Sequence, residues 1–272
     1  MKTLNPKWKM LKITALTTLC SLCFLSSVQA AVIPVNINIQ ATNTFDEGYG
    51  DGVSSGDFSL ITGGATTTST YSGATVTGTN PLTNNLVNTG DGIGFTGSAT
   101  ATDDIFNVGF DSTIDVANNS VSDIYDIVFK LVFSNMVNAS GADAYADSEF
   151  TLFANGAEIF FTDLLSDSLN GNEVAGDGGP APYFGSLLEA DTLFFNFALN
   201  PSDLLTLDLS WTLDGGDFDG GESAFEFSQF LSIESVTLRG GQVPPSVPAP
   251  GSLSLFVIAL VGLVARNARK NK

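Results

Sequence analysis

The sequence contains no histidine, and its only two cysteines, Cys20 and Cys23, lie close to its start. Without histidine the chain has no Ser-His-Asp triad, no histidine-ligated zinc, iron or copper, and no imidazole general base. Without a later cysteine, the rest of the chain has no disulfide, thiol nucleophile or thiolate metal site. The stability of that part therefore has to come from one large hydrophobic core, which about 210 residues can supply.

Basic residues are almost as scarce in the middle of the chain. All 29 acidic residues lie between Asp46 and Glu234, and only Lys130 and Arg239 of the basic residues lie within residues 31–240, which leaves that part with a formal net charge of 2 − 29 = −27. A field of this sign repels nucleic acid and anionic lipid, and it attracts divalent cations and cationic surfaces. A solvated, salt-tolerant surface explains the same charge without any partner.

The start of the chain has the pattern of a secretory signal. Four lysines precede an apolar segment at residues 13–28, which runs into the small residues of Val28-Gln29-Ala30. This order predicts a signal peptide over residues 1–30, which signal peptidase removes by cutting between Ala30 and Ala31, and an uncleaved membrane anchor is the alternative interpretation. Cleavage there removes both cysteines and releases the exported part of the chain.

The last part of the sequence combines a linker, an apolar run and a basic tail. Residues 241–250 form a proline-rich linker that ends in Val247-Pro248-Ala249-Pro250, and residues 251–265 form an apolar run. Its 15 residues would rise roughly 22 Å as a helix, which is short of the roughly 30 Å hydrocarbon layer. Four Arg and Lys side chains at residues 266–272 can complete the span from the cytoplasmic headgroups. The prolines keep the motif extended at the outer boundary of the membrane.

This arrangement resembles the C-terminal sorting signal of PEP-CTERM proteins, over about residues 247–272. In that family a short Val-Pro-Glu-Pro-like motif precedes one membrane segment and a basic tail, and Ala249 stands where glutamate is usual. The resemblance implies export from the cytoplasm of a Gram-negative bacterium, an anchored precursor in the inner membrane, and processing by an exosortase-like membrane protease. It also implies a final place at the cell surface or outside the cell, in an exopolysaccharide or biofilm matrix. A plain membrane anchor is the alternative interpretation.

Residues 31–240 have the alternation of half-buried β-strands. Apolar residues of one parity alternate with polar ones in several segments, such as Val35 to Ile39, Phe106 to Val116, Tyr125 to Phe133 and Leu205 to Leu213. These segments predict a single antiparallel β-sandwich, jelly-roll-like in form.

Turn signals divide the strands from one another. Asn155-Gly156 predicts a tight hairpin, because type I′ turns need positive φ at both central positions. Short helical turns are predicted near Thr162–Leu169 and Ser186–Ala190. The Thr-, Ser- and Gly-rich stretch Ile61–Asn88 predicts either an exposed edge hairpin or a low-complexity arm whose hydroxyls can accept O-linked sugars.

The candidate metal site is the acidic loop after the Leu205–Leu213 strand. Its carboxylates, on a glycine-rich backbone, are ligands that calcium prefers, and they are Asp214, Asp217, Asp219 and Glu222. The spacing does not complete an EF-hand loop, and a solubilising acidic turn is the alternative interpretation. The stretches Asp46–Asp51 and Asp103-Asp104 are weaker candidates of the same kind.

Sugar binding would need exposed aromatic rings. Trp211 shares its parity with the leucines of its strand and is predicted to lie in the core, whereas Tyr49, Tyr71 and Tyr183 lie in loop-like stretches. The leading hypothesis is a non-enzymatic secreted or cell-surface protein of the extracellular matrix. The second is a calcium-dependent carbohydrate-binding module. The third is an exopolysaccharide-acting hydrolase with two carboxylates, although 29 acidic residues make a chance pair inevitable.

Overall fold

The fold is all-β, with two antiparallel sheets packed face to face. The structure is a computed structural model, and it describes residues 30–176 and 179–240. The predicted signal peptide before Ala30, the linker and sorting motif at residues 241–250, the apolar run at residues 251–265 and the basic tail lie outside the described residues. In the part of the chain that the structure describes, no helix has the length and apolarity needed to cross a membrane.

Fourteen strands make up the described chain. They are β1 (Ile37–Tyr49), β2 (Val53–Thr62), β3 (Ala65–Ser72), β4 (Thr75–Thr77), β5 (Leu82–Asn85), β6 (Gly92–Ala101), β7 (Ile105–Asn118), β8 (Tyr125–Ser140), β9 (Ala144–Ala154), β10 (Ala157–Asp167), β11 (Glu173–Gly176), β12 (Leu187–Leu199), β13 (Leu204–Asp217) and β14 (Glu222–Leu238).

Each sheet contains seven of these strands. The first sheet has the order β11-β10-β9-β13-β7-β1-β5, and the second has the order β12-β8-β14-β6-β2-β3-β4. Alternate residues of each strand face the other sheet, so the parity seen in the sequence selects which side chains are buried. The predicted sandwich is therefore confirmed at the level of two packed antiparallel sheets.

An aromatic core fills the space between the sheets. Trp211 is fully buried, as its parity predicts, and its ring centroid lies 4.9 Å from that of Phe150 and 5.4 Å from that of Phe227. The indole Nε1 of Trp211 donates a hydrogen bond of 2.9 Å to Ser148 Oγ, so the buried donor is satisfied. Burial of these rings is the main favourable term that a disulfide-free domain has.

The predicted hairpin at Asn155-Gly156 is confirmed. It joins β9 to β10, with φ values of 49° at Asn155 and 76° at Gly156. The stretch Ile61–Asn88 is an edge hairpin rather than a low-complexity arm, because β3 and β4 form the end of the second sheet and β5 forms the end of the first.

Two predicted helices and one predicted loop residue are wrong. Residues 162–167 belong to β10 and residues 187–190 belong to β12, because pairing with β9 and β8 along these strands overrides the weak local helical pattern. Tyr71 is not in a loop: it is fully buried in β3, and its ring stacks on Phe45 at a centroid distance of 4.9 Å.

Candidate functional site

Four loops that contain acidic residues and lie far apart in the sequence meet at one end of the sandwich. The Asp217 amide donates to the Asp104 carbonyl at 2.9 Å, and the Phe218 amide donates to the Asp143 carbonyl at 2.9 Å. The loop after β1 joins them, because the Gly52 amide donates to the Ile105 carbonyl at 3.0 Å. The candidate stretches Asp46–Asp51, Asp103-Asp104 and Asp214–Glu222 thus belong to one acidic end of the molecule.

Asp217 holds this end together. Its carboxylate accepts hydrogen bonds from the amides of Asp103 at 2.9 Å, Gly221 at 2.7 Å and Asp219 at 3.4 Å, and its side chain is buried. The bond from Asp103, followed by those from Gly221 and its neighbours, lowers the pKa of Asp217 below its ordinary value. Asp217 therefore links the β6–β7 turn to the β13–β14 loop in its ionised form.

The four predicted calcium ligands do not converge. Asp214 lies on the outer face of the first sheet, Asp217 is turned towards backbone amides, and Asp219 and Glu222 are exposed on the loop. Across residues 30–176 and 179–240, no three acidic side chains lie close enough together to hold a metal ion. Calcium binding by this loop stays a prediction, and the Asp217 oxygens would have to exchange amide donors for the ion.

Asp214 instead faces a row of carboxylates from neighbouring strands. It stands opposite Asp147 of β9 on one side and Asn107 of β7 on the other, and Asp163 of β10 adjoins Asp147. One oxygen each of Asp147, Asp163 and Asn107 is buried without a hydrogen-bond partner among the described residues. Unpaired buried oxygens are uncommon and costly, which distinguishes this row from an ordinary solvated acidic surface.

The ionisation of this row is perturbed by its surroundings. Burial raises the pKa of Asp147 to about 7, with contributions from a hydrogen bond and repulsion by Asp163 and from the charge of Asp214. Burial also raises the pKa of Asp214, against the opposing hydrogen bond from Tyr145. Burial and the Asp214 charge raise the pKa of the Tyr145 hydroxyl to about 12, so Tyr145 is a neutral hydrogen-bond donor here.

Exposed aromatic rings border the same carboxylates. Tyr49 stands opposite Asn107, and the rings of Tyr145 and Phe218 stack at a centroid distance of 6.3 Å. Both rings flank Gly216, where a Cβ atom would lie 3.1 Å from Tyr145 and 3.2 Å from Phe218. Tyr49 is 54% exposed and Phe218 is 60% exposed. We refer to Tyr49, Asn107, Tyr145, Asp214 and Phe218 as the aromatic–acidic patch.

The patch can offer ring faces and hydrogen-bonding groups to a polar ligand. Tyrosine and phenylalanine faces stack on apolar faces of sugars, while a carboxylate such as that of Asp214 accepts bonds from hydroxyl groups. The patch lies on an open sheet face. A shallow pocket of about 160 Å³ lies elsewhere, lined by residues that include Gln40, Asp115 and Thr206, and it is smaller than typical small-molecule sites.

The sequence alone identifies only part of this site. Tyr49 and Asp214 are candidates from the sequence, whereas Tyr145, Asp147 and Asp163 are not. Within a single strand, an outward-facing acid or tyrosine is ordinary and does not indicate a site. The three residues form a cluster only because β10, β9 and β13 pair side by side in this register. The third tyrosine candidate, Tyr183, is 78% exposed in the segment between β11 and β12 and packs against Phe184 with a centroid distance of 4.3 Å.

Comparison with known proteins does not assign this chain to a family. No protein-family model matches the chain, and no curated protein is significantly similar to it. Among solved structures, the infectious bursal disease virus VP2 subviral particle aligns over 85% of this chain and 74% of that chain, with 10% identity and a TM-score of 0.15. The Gx strain structure of the same virus aligns over 86% and 74%, with 10% identity and a TM-score of 0.12. These scores are too low to support a structural relationship.

Proposed function

We propose that this chain is a non-enzymatic exported protein of the bacterial cell surface or extracellular matrix. It enters through the general secretory route, is cut by signal peptidase and stays in the inner membrane until an exosortase-like protease processes its tail. The support comes from the two terminal signals in the sequence, the strongly acidic exported part, and the resemblance of residues 247–272 to a sorting signal. The proposal includes exopolysaccharide as a partner and excludes nucleic acid on Coulomb grounds.

The main structural support for the proposal is that the folded domain begins at about Ala31 and ends at about Arg239, just inside the two predicted signals. Ala31 is attached to the segment between β5 and β6 by two hydrogen bonds to Thr89: it donates to Thr89 Oγ1 at 2.9 Å and accepts from the Thr89 amide at 2.8 Å. At the other end, the Arg239 amide donates to the Ile124 carbonyl at 2.7 Å and its side chain pairs with Asp126. Cleavage after Ala30 and near Pro248 would leave both of these attachments intact.

We also propose the jelly-roll-like description of the sandwich. The chain passes from one sheet to the other at each step from β6 to β9 and again from β12 to β14. Repeated passage between facing sheets is typical of jelly rolls.

The sorting experiment compares Gram-negative hosts with and without an exosortase. We expect released protein that begins at Ala31 and ends near Pro248–Gly251 in the first host, and full-length protein in the inner membrane of the second. N-terminal sequencing and intact mass measure both ends. An Ala249→Glu variant should be processed more completely, because it restores the usual motif. Released protein that still contains Met1 or Arg266 would contradict the proposal.

A second candidate function is carbohydrate binding at the aromatic–acidic patch. The specific support is the pair of exposed rings, Tyr49 and Phe218, that border the Asp214 carboxylate. Binding that depends on calcium would agree with the predicted acidic loop next to it. The hydrolase hypothesis stays a prediction: Asp147, whose pKa is raised by burial, and Asp214 are neighbouring carboxyls, but they lie on a sheet face.

A glycan array with and without calcium tests this second function. Phe218→Ala and Tyr49→Ala should each weaken binding roughly tenfold, because each removes a stacking surface. Tyr183→Ala is the matched control, since it removes an exposed ring at a different turn. Equal loss in all three variants, or binding by none of the proteins, would remove the patch as a sugar site and leave the matrix proposal standing.

A further inference from the structure

One sheet edge of the molecule differs from the other three. The strands β4, β5 and β11 that end three of the edges have only three or four residues, whereas β12 has 13. Short edge strands are one of the ways in which proteins prevent pairing between molecules, and a long regular edge is a template for another strand. β12 contains no proline and pairs in register with β8 along its whole length without a bulge.

The free side of β12 carries the backbone groups of its even-numbered residues. The Thr192 amide donates to the Asp191 carboxylate at 2.6 Å, from which we infer that it lies on the free side. Residues two apart point the same way in a strand, so Leu188, Ala190, Phe194, Asn196 and Ala198 share this orientation. Among the described residues, no backbone group bonds to these five amides outside the β12–β8 ladder.

The same even-numbered residues turn apolar side chains outwards. Leu188 is 68% exposed and Phe194 is 57% exposed, and Val132 of β8 is exposed beside them. Phe230 of β14 continues this surface, with its ring over Gly94, where a Cβ atom would lie 2.8 Å from it. The edge therefore adjoins an apolar surface in a domain whose formal net charge is −27.

We propose that β12 is the interface of a homodimer, in which β12 of a second copy adds to this edge in antiparallel orientation. The two acids of the strand, Glu189 and Asp191, lie in its first half, and its second half is apolar apart from Asn196. Parallel addition would place like charges side by side. Antiparallel addition sets Glu189 opposite Phe197 and Asp191 opposite Phe195 of the other copy, so that no like charges face each other across the two-fold axis.

Full overlap of the two strands fixes the register. Pairing Leu187 with Leu199 of the second copy brings the two Leu193 residues together on a two-fold axis and sets Asp191 opposite Phe195. The 13 residues then form an interface about 43 Å long at about 3.3 Å per residue. The second sheet of one copy then joins the second sheet of the other copy to form one continuous sheet of 14 strands.

Electrostatics gives the dimer a recognisable salt dependence. Each exported part has a formal net charge of −27, so association opposes a long-range repulsion that salt screens. The dimer should therefore tighten as sodium chloride is raised from about 0.02 M to about 0.3 M. An interface made from ion pairs would weaken over the same range.

The first test is sedimentation velocity of the full chain in density-matched detergent. We expect a dimer whose dissociation constant rises roughly tenfold or more in Phe194→Lys, because an apolar side chain next to the joined edge is replaced by a charge in each copy. Val121→Lys is the matched control, since it makes the same charge change at a residue that is 95% exposed in a loop. A parent that stays monomeric at all concentrations, or equal masses for the parent and Phe194→Lys, would overturn the proposal.

The second test is disulfide trapping, which also determines which residues of the two β12 strands face each other. In a Cys20→Ala and Cys23→Ala background, Leu193→Cys should give a cross-linked dimer, because facing residues of a non-hydrogen-bonded antiparallel pair have Cα atoms about 4.5 Å apart. Trapping by Phe194→Cys instead would support the dimer with a one-residue shift of the axis. Trapping by neither above the level of Val121→Cys would exclude β12 as the interface.

Discussion

Asp147 and Asp217 lie on neighbouring strands of one sheet, yet their surroundings favour opposite protonation states. Asp217 receives three backbone amides, which stabilise its carboxylate and lower its pKa. Asp147 is partly buried beside Asp163 and Asp214, with one oxygen unpartnered, and its pKa rises to about 7. The first group therefore favours folding in its ionised form, and the second favours folding in its protonated form.

The Asp147→Asn variant should be more stable than the parent at pH 8. An unfolded aspartate ionises near pH 4, whereas folded Asp147 ionises at about pH 7. The stability that its proton contributes is thus complete below pH 4 and lost as the pH rises through 7. Because the side chain is partly exposed, we expect a gain on the order of 1–2 kcal/mol at pH 8.

Thermal melts at pH 4, 6 and 8 measure this effect. The difference in Tm between Asp147→Asn and the parent should be largest at pH 8 and nearly absent at pH 4. The control is Asp51→Asn, which removes one charge from an exposed position without entering the carboxylate row. An equal rise in Tm in Asp147→Asn and Asp51→Asn would show that the effect comes from the change in net charge alone.

At the level of strands, the sequence predicts what depends on one strand and its buried face. The parity of Leu205 to Leu213 places Trp211 in the core, and Asn155-Gly156 fixes a turn, because both signals are local. The helices predicted at residues 162–169 and 186–190 are wrong because their adjacent leucines imitate a helical stripe. In the structure, Leu164 faces the core and Leu165 faces outwards in a strand.

The candidate site depends on relations between strands that no local pattern contains. Asp147 and Asp214 become neighbours because β9 pairs with β13, although the two residues are far apart along the chain. Tyr145 and Phe218 stack because the same pairing brings β9 to the end of β13. The free edge at β12 likewise follows from the strand order of the whole sheet.

The β9–β10 hairpin gives a prediction about one element. Gly156 has a φ of 76°, and no atom lies within 4 Å of the place that a Cβ would take, so a side chain there costs backbone strain and no steric clash. Gly156→Ala should destabilise the domain by about 1 kcal/mol, and Gly156→Asn by clearly less, because asparagine tolerates the left-handed region. Denaturant unfolding measures both variants. Equal stability of Gly156→Ala and the parent would contradict the type I′ turn as a determinant of this hairpin.

For the molecule as a whole, charge opposes compactness. Only Lys130 and Arg239 oppose 29 acidic residues between residues 31 and 240, and Arg239 already pairs with Asp126. Bonds to Arg239 lower the pKa of Asp126, but the exposed ion pair adds little stability. Added salt should therefore raise the stability of the domain by screening its self-repulsion.

Calcium should stabilise the folded protein more than salt or magnesium does at matched ionic strength. If the Asp214–Glu222 loop binds the ion only when folded, calcium at about a hundred times its dissociation constant adds roughly 2.7 kcal/mol, which is a rise in Tm of roughly 5–10 °C. Magnesium should do less, because it demands a tight octahedral shell and releases water reluctantly.

The measurement is a thermal melt in EDTA, calcium and magnesium. Asp219→Ala should reduce only the calcium shift, since Asp219 is exposed, whereas Asp217→Ala should lower Tm by several degrees in all three solutions, because it leaves the amides of Asp103 and Gly221 without their acceptor. Equal melting points in calcium and EDTA, or a calcium shift that survives Asp219→Ala, would leave the loop as an acidic turn held by Asp217.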